Sequence, residues 1–303
     1  MKTILLSGGS GFIGSHFCRA ATARGWQLIV LTRDTARAAK RLPAQTALIE
    51  SLDQLDSHPP VDVLINLAGQ SLADGRWSER RKQQIIHSRI GTTQALFQHF
   101  KHHPETAPKV VISGSAIGYY GGGRGGDLEV AEDGAKVNNF SHQLCAAWEN
   151  SAKPFVTLGS RVCLLRTGIV LGEQGALSKM LPAFRLGFGG PMGDGGQWMP
   201  WIHIEDMVEI IMFCIEQKQL QGPVNATAPQ PSTNRDFAVT LGTVLNRPSA
   251  LTMPAAVVKL LFGQMGDELL LQGQRVVPKK LQDFGFEFLY DDLAIALTNL
   301  LKK

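Results

Sequence analysis

The sequence predicts an α/β protein built on a doubly wound parallel sheet, and three observations support this fold class. The chain opens with a strand-length apolar run at residues 2–6, followed by a glycine turn and a helical pattern. Further apolar runs of strand length recur between helical patterns, as in successive βαβ units. The 303 residues, 44% of them hydrophobic and 18% charged, suffice for one large domain with an appended lobe.

The first turn, Ser-Gly-Gly-Ser-Gly-Phe-Ile-Gly at residues 7–14, has the spacing of a dinucleotide-binding loop. Gly8 permits a tight turn, Gly11 lets the backbone approach a pyrophosphate, and Gly14 lets the helix lie close to the strand. The helix N-terminus then faces the phosphate charge. A tight turn without a ligand is the alternative in a chain with 32 glycines, but the flanking strand and helix favour the dinucleotide.

The second strand, predicted at residues 27–32, ends where such a sheet meets the adenosine ribose of its ligand. Arg33 follows this strand. Because an arginine forms charge-assisted bonds to a 2′-phosphate, it favours NADP over NAD. Two alternatives stay open: Arg33 is a solvent-facing turn residue, or Asp34 binds the free 2′-hydroxyl of NAD because the strand ends one residue later.

The remaining pattern continues the alternation of helices and strands. Thr35 is predicted to cap a helix that reaches about Leu42. Strands are predicted at residues 47–49, 61–69, 109–113, 158–166 and 223–226, with a mobile glycine loop at 121–126 and helices at 204–215 and the C-terminus.

The segment that follows the fourth strand contains two candidate substrate contacts. Open α/β sheets bind ligands at the carboxyl ends of their strands, and this segment leaves such an end. Trp77 lies in the loop beyond this strand, and Arg80 begins the basic helix that follows. A packed indole and a solvated guanidinium are the structural alternatives for these two side chains.

The chain resembles an extended short-chain dehydrogenase/reductase of the NAD-dependent epimerase/dehydratase type, and in particular its atypical branch, the sugar nucleotide epimerase family. The resemblance rests on the motifs GGSGFIG at 8–14, NLAG at 66–69, SGSAIGYYG at 113–121, LRTGIVLG at 165–172 and WIHIED at 201–206. Residues 262–281 resemble the small C-terminal domain of that branch. The resemblance implies a Rossmann-like sheet and a smaller C-terminal lobe on the substrate side.

The resemblance also implies a division of the chain and a set of site residues. Residues 1–172 and 200–228 are expected to form the NADP-binding domain, and residues 173–199 and 229–303 the substrate-side lobe. The expected cofactor contacts are Gly8, Ser10, Gly11, Phe12, Ile13, Arg33, Leu67, Ala68, Gly69, Arg89, Ser113 and Gly114. Ser115 is the best match to the active-site hydroxyl, although Ser113 stays open. Tyr120 is a second catalytic candidate with a mainly structural role in the family, and His203 is either a substrate contact or a buried structural histidine.

The sequence departs from the family at the catalytic pair, since it contains no Tyr-x-x-x-Lys motif. If Glu149 matches the glutamate that often follows the family lysine, Ser141 stands at the tyrosine position and Cys145 at the lysine position. A serine hydroxyl is far less acidic than a phenol, and a thiol carries no positive charge. Neither residue can therefore replace its counterpart.

Two functions follow from these observations. The first is an NADP-dependent oxidoreductase or isomerase that acts on a sugar-like substrate, which the family resemblance implies is nucleotide-linked, with Ser115 hydrogen-bonded to the reacting oxygen. The second is a noncatalytic NADP-binding regulatory or scaffold protein, which the missing pair favours. RNA binding finds support only in the mild basic balance of the chain and in the basic cluster at residues 76–82.

The composition limits the partners, the metal content and the cellular location that we expect for this protein. A net charge of +4, spread along the chain, gives no reason to expect a nucleic-acid partner. Four widely spaced cysteines, without metal-ligand spacing, predict reduced buried thiols and no metal. No apolar run is long enough to span a bilayer. We therefore expect a cytoplasmic protein with a small-molecule substrate, as a monomer or a homodimer.

Overall fold

A computed structural model describes residues 2–302, and the backbone alone at residues 124 and 125. Its strands are β1 (Thr3–Ser7), β2 (Gln27–Leu31), β3 (Ala47–Ile49), β4 (Val63–Asn66), β5 (Val110–Ala116), β6 (Arg124–Val130), β7 (Arg161–Thr167), β8 (Ile169–Leu171), β9 (Trp198–Met199), β10 (Trp201–His203), β11 (Gly222–Ala226), β12 (Ser232–Thr233) and β13 (Gly273–Val276). Its helices are α1 (Phe12–Ala23), α2 (Thr35–Ala39), α3 (Glu79–Ile86), α4 (Thr92–His102), α5 (Phe140–Ala152), α6 (Ala176–Arg185), α7 (Ile204–Glu216), α8 (Asn234–Leu245), α9 (Ala255–Leu270), α10 (Lys279–Asp283) and α11 (Leu293–Leu301).

A seven-stranded sheet in the order β3-β2-β1-β4-β5-β7-β11 forms the centre of the protein, and every neighbouring pair is parallel. The strand order reverses between β1 and β4, which is the point where doubly wound sheets bind ligands. The predicted Rossmann-like fold class is therefore confirmed.

Both faces of the sheet are covered, because alternate strand residues point to opposite sides. In β1, Ile4 and Leu6 belong to one buried cluster and Leu5 to another. The first cluster includes residues of α1, α7, α8 and α11, and the second residues of α4 and the end of α5. This two-sided burial explains why the strands are continuous apolar runs. The four cysteines are buried and unpaired, as predicted.

The segment predicted as a mobile glycine loop differs in the structure. Residues 124–130 form strand β6, which pairs in parallel with β13 from the C-terminal part of the chain. The partner strand lies more than 140 residues away, so local sequence gave no signal of this pairing. The proposed division into two domains stays a prediction, and β6 lies where its two parts meet.

For most helices and strands, the predicted boundaries differ from the observed ones by a few residues. Helix α2 ends at Ala39 instead of Leu42, and β7 begins at Arg161 instead of residue 158. Helix α9 is interrupted at Gly263, whose φ is 60°. Within residues 2–302, none of the helices has the length and apolar character that crossing a membrane requires.

Candidate functional site

The glycine loop after β1 leaves no room for side chains, as a site built for close backbone approach requires. Gly8 has a φ of 77°, and a Cβ there would lie 2.7 Å from the backbone of Leu67 at the end of β4. A Cβ at Gly14 would collide with the Gly8 carbonyl oxygen. At Gly8 and Gly14 the loop therefore packs on backbone atoms, and at Gly9 on the Val30 side chain, and the residues fit a dinucleotide.

The first turn of α1 adds a favourable charge to this loop. The helix begins at Phe12, and its N-cap Gly11 provides no side-chain acceptor for the free amides. Those amides are available to an anion. Ser10 belongs to the preceding turn, and Ile13 packs against the core of the sheet. The Phe12 ring lies so close to Gly172 that a Cβ on that glycine would reach within 2.5 Å of it.

The end of β2 shows how Arg33 and Asp34 are placed. The strand ends at Leu31, and Asp34 is the N-cap of α2, where its Oδ1 accepts the Arg37 amide at 2.8 Å. The predicted cap, Thr35, is instead the first helical residue. Arg33 is exposed and has no ion pair or side-chain hydrogen bond within the described part of the chain. The carboxylate is thus used locally, while the guanidinium is free for a ligand.

Strand β4 contributes a polar end to the same edge. Asn66 accepts the Ser7 hydroxyl at 2.5 Å through Oδ1, and its Nδ2 donates to Thr93 at 2.8 Å. These bonds tie β4 to β1 and to α4 and fix the start of the turn. The turn formed by residues 67–69 then runs beside Gly8.

Arg89 is a buried cation beneath this turn. Its guanidinium donates to the carbonyl oxygens of Ile85 and Gln70 at 3.2 and 3.0 Å and lies 5.1 Å above the Trp148 ring. Gly69 packs directly on it, since a Cβ there would lie 3.0 Å from the guanidinium carbon. Burial lowers the pKa of Arg89 to about 10, so the side chain stays charged at neutral pH. Within the described residues it has no carboxylate partner, and an anionic ligand beside Gly69 would compensate its charge.

Ser115, the first catalytic candidate, belongs to a buried ionic cluster at the end of β5. Its hydroxyl donates to Glu149 at 2.9 Å. Arg166 binds the same carboxylate through Nε at 2.8 Å and Nη2 at 3.0 Å. Burial lowers the pKa of Arg166, but the hydrogen bonds and charge interactions with Glu149 and Tyr120 together outweigh burial and raise the pKa above its ordinary value. Ser113, the alternative, is fully buried, and Gly114 packs against Trp148.

Tyr120, the second catalytic candidate, is also held inside this cluster. It is 0% exposed, its hydroxyl donates to Asn225 Oδ1 at 2.6 Å, and it accepts from Arg166 at 2.9 Å. Burial raises the pKa of Tyr120 to about 12. A buried phenol that makes two hydrogen bonds and has this pKa is a poor proton donor, so a structural role accounts for this residue.

The helix that matches the family's catalytic helix carries Ser141, Cys145 and Glu149 at four-residue spacing, and therefore on one face. A Cβ on Gly118 would lie 3.3 Å from Ser141 and 3.5 Å from the Cys145 sulfur, so this face lies against the segment after β5. Burial raises the pKa of the Cys145 thiol to about 12, which keeps it protonated at neutral pH. The thiol supplies no charge, as the sequence predicted.

A cavity of about 470 Å³ lies between this region and helix α9. The residues that border it include Gly122, Asn139, Gln197, Lys259, Asp267 and Glu268. It has polar and charged side chains in a largely apolar lining, and Gly122 from the segment that follows β5 borders it, which makes it the candidate substrate pocket. Asp267 and Glu268 were not among the site residues predicted from the sequence. Both lie within residues 262–281, but the resemblance of that stretch to the small C-terminal domain assigns no side chain a role.

The three predicted substrate contacts lie elsewhere. Trp77 is buried, donates to the Leu72 carbonyl at 2.9 Å and packs edge-on against Phe140. Arg80 is exposed on α3. His203 is fully buried as the N-cap of α7, and its Nδ1 accepts the Glu205 amide at 3.1 Å. None of the three is among the residues described around the cavity, and their substrate role stays a prediction.

Asp206, beside His203, fixes the C-terminal segment to α7. Its carboxylate accepts the amides of Leu289 at 2.8 Å and Tyr290 at 3.0 Å, and the Tyr290 ring stacks on His203 with centroids 3.8 Å apart. Burial raises the pKa of Asp206 from 3.8 to about 6, despite the two amide bonds. The folded protein therefore binds more protons than the unfolded chain between these two pH values.

From this shift we expect a pH-dependent effect of Asp206→Asn on stability. The contribution of the raised pKa is fully present below pH 4 and is lost as the pH rises through 6, because ionisation then opposes burial. Relative to the wild type, the asparagine variant should gain roughly 1–3 kcal/mol between pH 4 and 7. Urea unfolding across this range measures the difference. If the difference in unfolding free energy between the variant and the wild type were the same at pH 4 and pH 7, the prediction would be contradicted. The exposed Asp283→Asn variant is the control.

Comparison with protein families gives two matches along the chain. Residues 4–226 match the model of the NAD dependent epimerase/dehydratase family. Residues 253–300 match a domain of unknown function, DUF1731. The second match includes α9 and therefore the side of the cavity that Glu268 lines.

Comparison with individual proteins agrees with these matches. The chain is 36% identical over 300 residues to the epimerase family protein Mb2239 of Mycobacterium bovis, covering 97% of this chain and 96% of that protein. The crystal structure of human epimerase family protein SDR39U1 with NADPH has a TM-score of 0.88 and 32% identity, covering 99% of both chains. UDP-glucose 4-epimerase of Thermotoga maritima, solved with UDP-glucose, shares the fold at 18% identity, with a TM-score of 0.79 over 99% of this chain and 97% of that chain.

Proposed function

This chain belongs to the NAD dependent epimerase/dehydratase family, and on that premise we propose that it is an NADP-dependent oxidoreductase or isomerase of a sugar-like substrate. The dinucleotide lies across the 8–14 loop, and the substrate occupies the cavity beside α9. When bound, the nicotinamide supplies a hydride acceptor or donor. The chain supplies the binding, the orientation and the proton transfer.

The glycine loop carries the dinucleotide part of the proposal. A Cβ at Gly8 or Gly14 would collide with neighbouring backbone, so only glycine allows the tight packing of loop, strand and helix that a dinucleotide site requires. The uncapped amides of α1 bind the pyrophosphate, and Arg89 offers a buried positive charge at the opposite side of the switch point. The NADPH in the structure of the human relative supports the same ligand.

Within this chain, the end of β2 is the observation that favours NADP over NAD. A binder of NAD uses an acidic side chain at this place for the ribose 2′-hydroxyl. Here Asp34 is engaged by the Arg37 amide at 2.8 Å, whereas the Arg33 guanidinium has no partner within the described residues. A 2′-phosphate supplies the partner for Arg33.

We expect Arg33→Ala to weaken NADPH binding by about 10-fold or more and to change NADH binding by less than about 3-fold, because only NADPH carries the 2′-phosphate. Titration calorimetry with both cofactors gives these constants. Arg37→Ala is the matched control, since Arg37 is a second exposed arginine, in helix α2 four residues further along the chain. An equal loss of affinity for NADPH and NADH would show that Arg33 does not bind the 2′-phosphate.

The catalytic part of the proposal is tested by turnover. Purified protein is incubated with NADP or NADPH and a panel of free sugars, nucleotide sugars and simple carbonyl compounds, and absorbance of the reduced nicotinamide is followed. Epimerisation without net redox change is detected by chromatography of the products. Turnover of a sugar-like compound is the expected result.

A noncatalytic NADP-binding protein is the second candidate. The engagement of Ser115 by Glu149 and of Tyr120 by Arg166 and Asn225 favours it, because these bonds occupy both hydroxyls. This candidate predicts tight NADPH binding with no turnover across the panel. Measurable turnover that depends on a cavity residue would exclude it.

A further inference from the structure

One carboxylate at the cavity has a position that the family motifs do not explain. Glu268 lies on α9, after the break at Gly263, and borders the cavity of about 470 Å³. Its Oε2 accepts the Ser141 amide at 3.0 Å and the Ser141 hydroxyl at 2.6 Å. Its Oε1 accepts Gln264 Nε2 at 2.7 Å. Three donors thus hold the carboxylate at the first turn of α5.

The other ionisable groups around the cavity have different commitments. Asp267 forms an ion pair with Lys259 at 2.9 Å, so its charge is neutralised. Asp194 is exposed and accepts the Gly196 amide at 3.0 Å within its own turn. Glu268 is half-buried and has no ion pair within the described residues. Glu268 is therefore the partly buried carboxylate at the cavity that lacks an ion pair within the described residues.

The hydrogen bonds to Glu268 leave one lone pair of Oε1 open to a further hydrogen-bond donor. Each carboxylate oxygen has two lone pairs, and Oε1 accepts one hydrogen bond from the described residues, that of Gln264. The Ser141 and Gln264 contacts hold the group without neutralising its charge. Geometry and charge together suit a proton acceptor that is fixed in place before the substrate arrives.

Resting on the function proposed above, we propose that Glu268 is a catalytic base, supplied to the cavity by the C-terminal domain, that accepts the proton of a substrate hydroxyl. The O–H bond of the substrate breaks, and the proton goes to the carboxylate. The neighbouring C–H bond gives its hydride to the nicotinamide of NADP, and the carbon–oxygen bond becomes a carbonyl. An alcohol is oxidised and NADP is reduced, and the reverse reaction returns the same proton and hydride.

This placement has a consequence that binding alone can measure. The oxidised nicotinamide ring is positively charged and the reduced ring is neutral. A carboxylate close enough to serve the reacting atoms therefore stabilises bound oxidised cofactor relative to bound reduced cofactor. A carboxylate that only caps α5, remote from the ring, leaves this ratio unchanged.

The test compares the dissociation constants of NADP and NADPH in the wild type and Glu268→Gln by titration calorimetry at neutral pH. The amide oxygen of glutamine still accepts from Ser141, so the contact between α9 and α5 is kept. We expect the ratio of the NADP constant to the NADPH constant to rise about 5- to 10-fold. In Asp267→Asn, the matched control one residue away, the ratio should stay within about 2-fold.

The outcomes separate this inference from the proposed function. A ratio within about 2-fold of the wild type in Glu268→Gln overturns the role of Glu268 while NADP binding stands. Failure of the wild type to bind either cofactor overturns the proposed function and this inference with it. With a substrate from the panel, Glu268→Gln should also lower kcat by roughly 10²- to 10⁴-fold at an unchanged dissociation constant for NADPH.

Discussion

Replacing Arg166 with methionine is expected to destabilise the fold by about 3–5 kcal/mol, because it leaves a buried carboxylate without its cation. The side chains of Arg166 and Glu149 are 3% and 2% exposed. The same guanidinium donates to Tyr120 at 2.9 Å and to the Glu132 carbonyl at 2.7 Å, and it stacks 3.5 Å from the Tyr119 ring. Urea unfolding followed by circular dichroism measures the loss.

Two further variants show whether the uncompensated charge causes this loss. Arg24→Met removes a surface arginine that pairs with Glu209 at 2.7 Å, and it should cost less than about 1 kcal/mol. In Arg166→Met with Glu149→Leu, both charges are absent, so most of the stability should return. A double variant that is as unstable as the sum of the two single variants would show that packing, and not charge, accounts for the effect.

Replacing Gly14 with alanine is expected to weaken NADPH binding by at least about 100-fold, because the added Cβ collides with the Gly8 carbonyl oxygen and the Gly9 backbone. The obstruction is backbone, which cannot rotate away as a side chain can. The loop must therefore move from the position that lets the pyrophosphate approach. Fluorescence titration with NADPH measures the affinity, and thermal unfolding shows that the variant is folded.

Gly25→Ala is the control for this substitution. Gly25 has a φ of 72° with open space around it, so alanine there strains the backbone without displacing the loop. It should lower stability by roughly 1 kcal/mol and leave the NADPH affinity unchanged. Similar affinities for the Gly14→Ala variant and the wild type would mean that the loop does not approach the ligand closely.

The buried cluster around Arg166 bears on the missing catalytic pair. The face of α5 that matches the family's catalytic face carries Ser141, Cys145 and Glu149, and the last of these is used for an ion pair. Ser115 and Tyr120 donate or accept within the same cluster. These hydroxyls stabilise the junction between β5, β7 and α5. A proton-transfer group then has to come from another part of the chain, and α9 brings a carboxylate to the cavity.

The sequence by itself determined the parts of the protein that depend on local periodicity and short-range backbone geometry. The apolar runs gave the parallel strands, since a strand buried on both faces has no polar alternation. The spacing of Gly8, Gly11 and Gly14 gave the loop, because a tight turn and a close helix are properties of neighbouring residues. The absence of a Tyr-x-x-x-Lys motif was equally visible in the linear sequence.

The tertiary structure alone decided which polar groups meet. Ser141 and Glu268 are 127 residues apart, and Tyr120 and Asn225 are 105 apart, so no pattern within one segment pairs them. The use of Asp34 as a helix cap depended on where β2 ended, which propensity does not fix to one residue. Apolar residues recur along the chain with the short period of a strand or helix, so the sequence shows them directly. Hydrogen bonds between distant side chains form only once the sheet and helices have brought those side chains together.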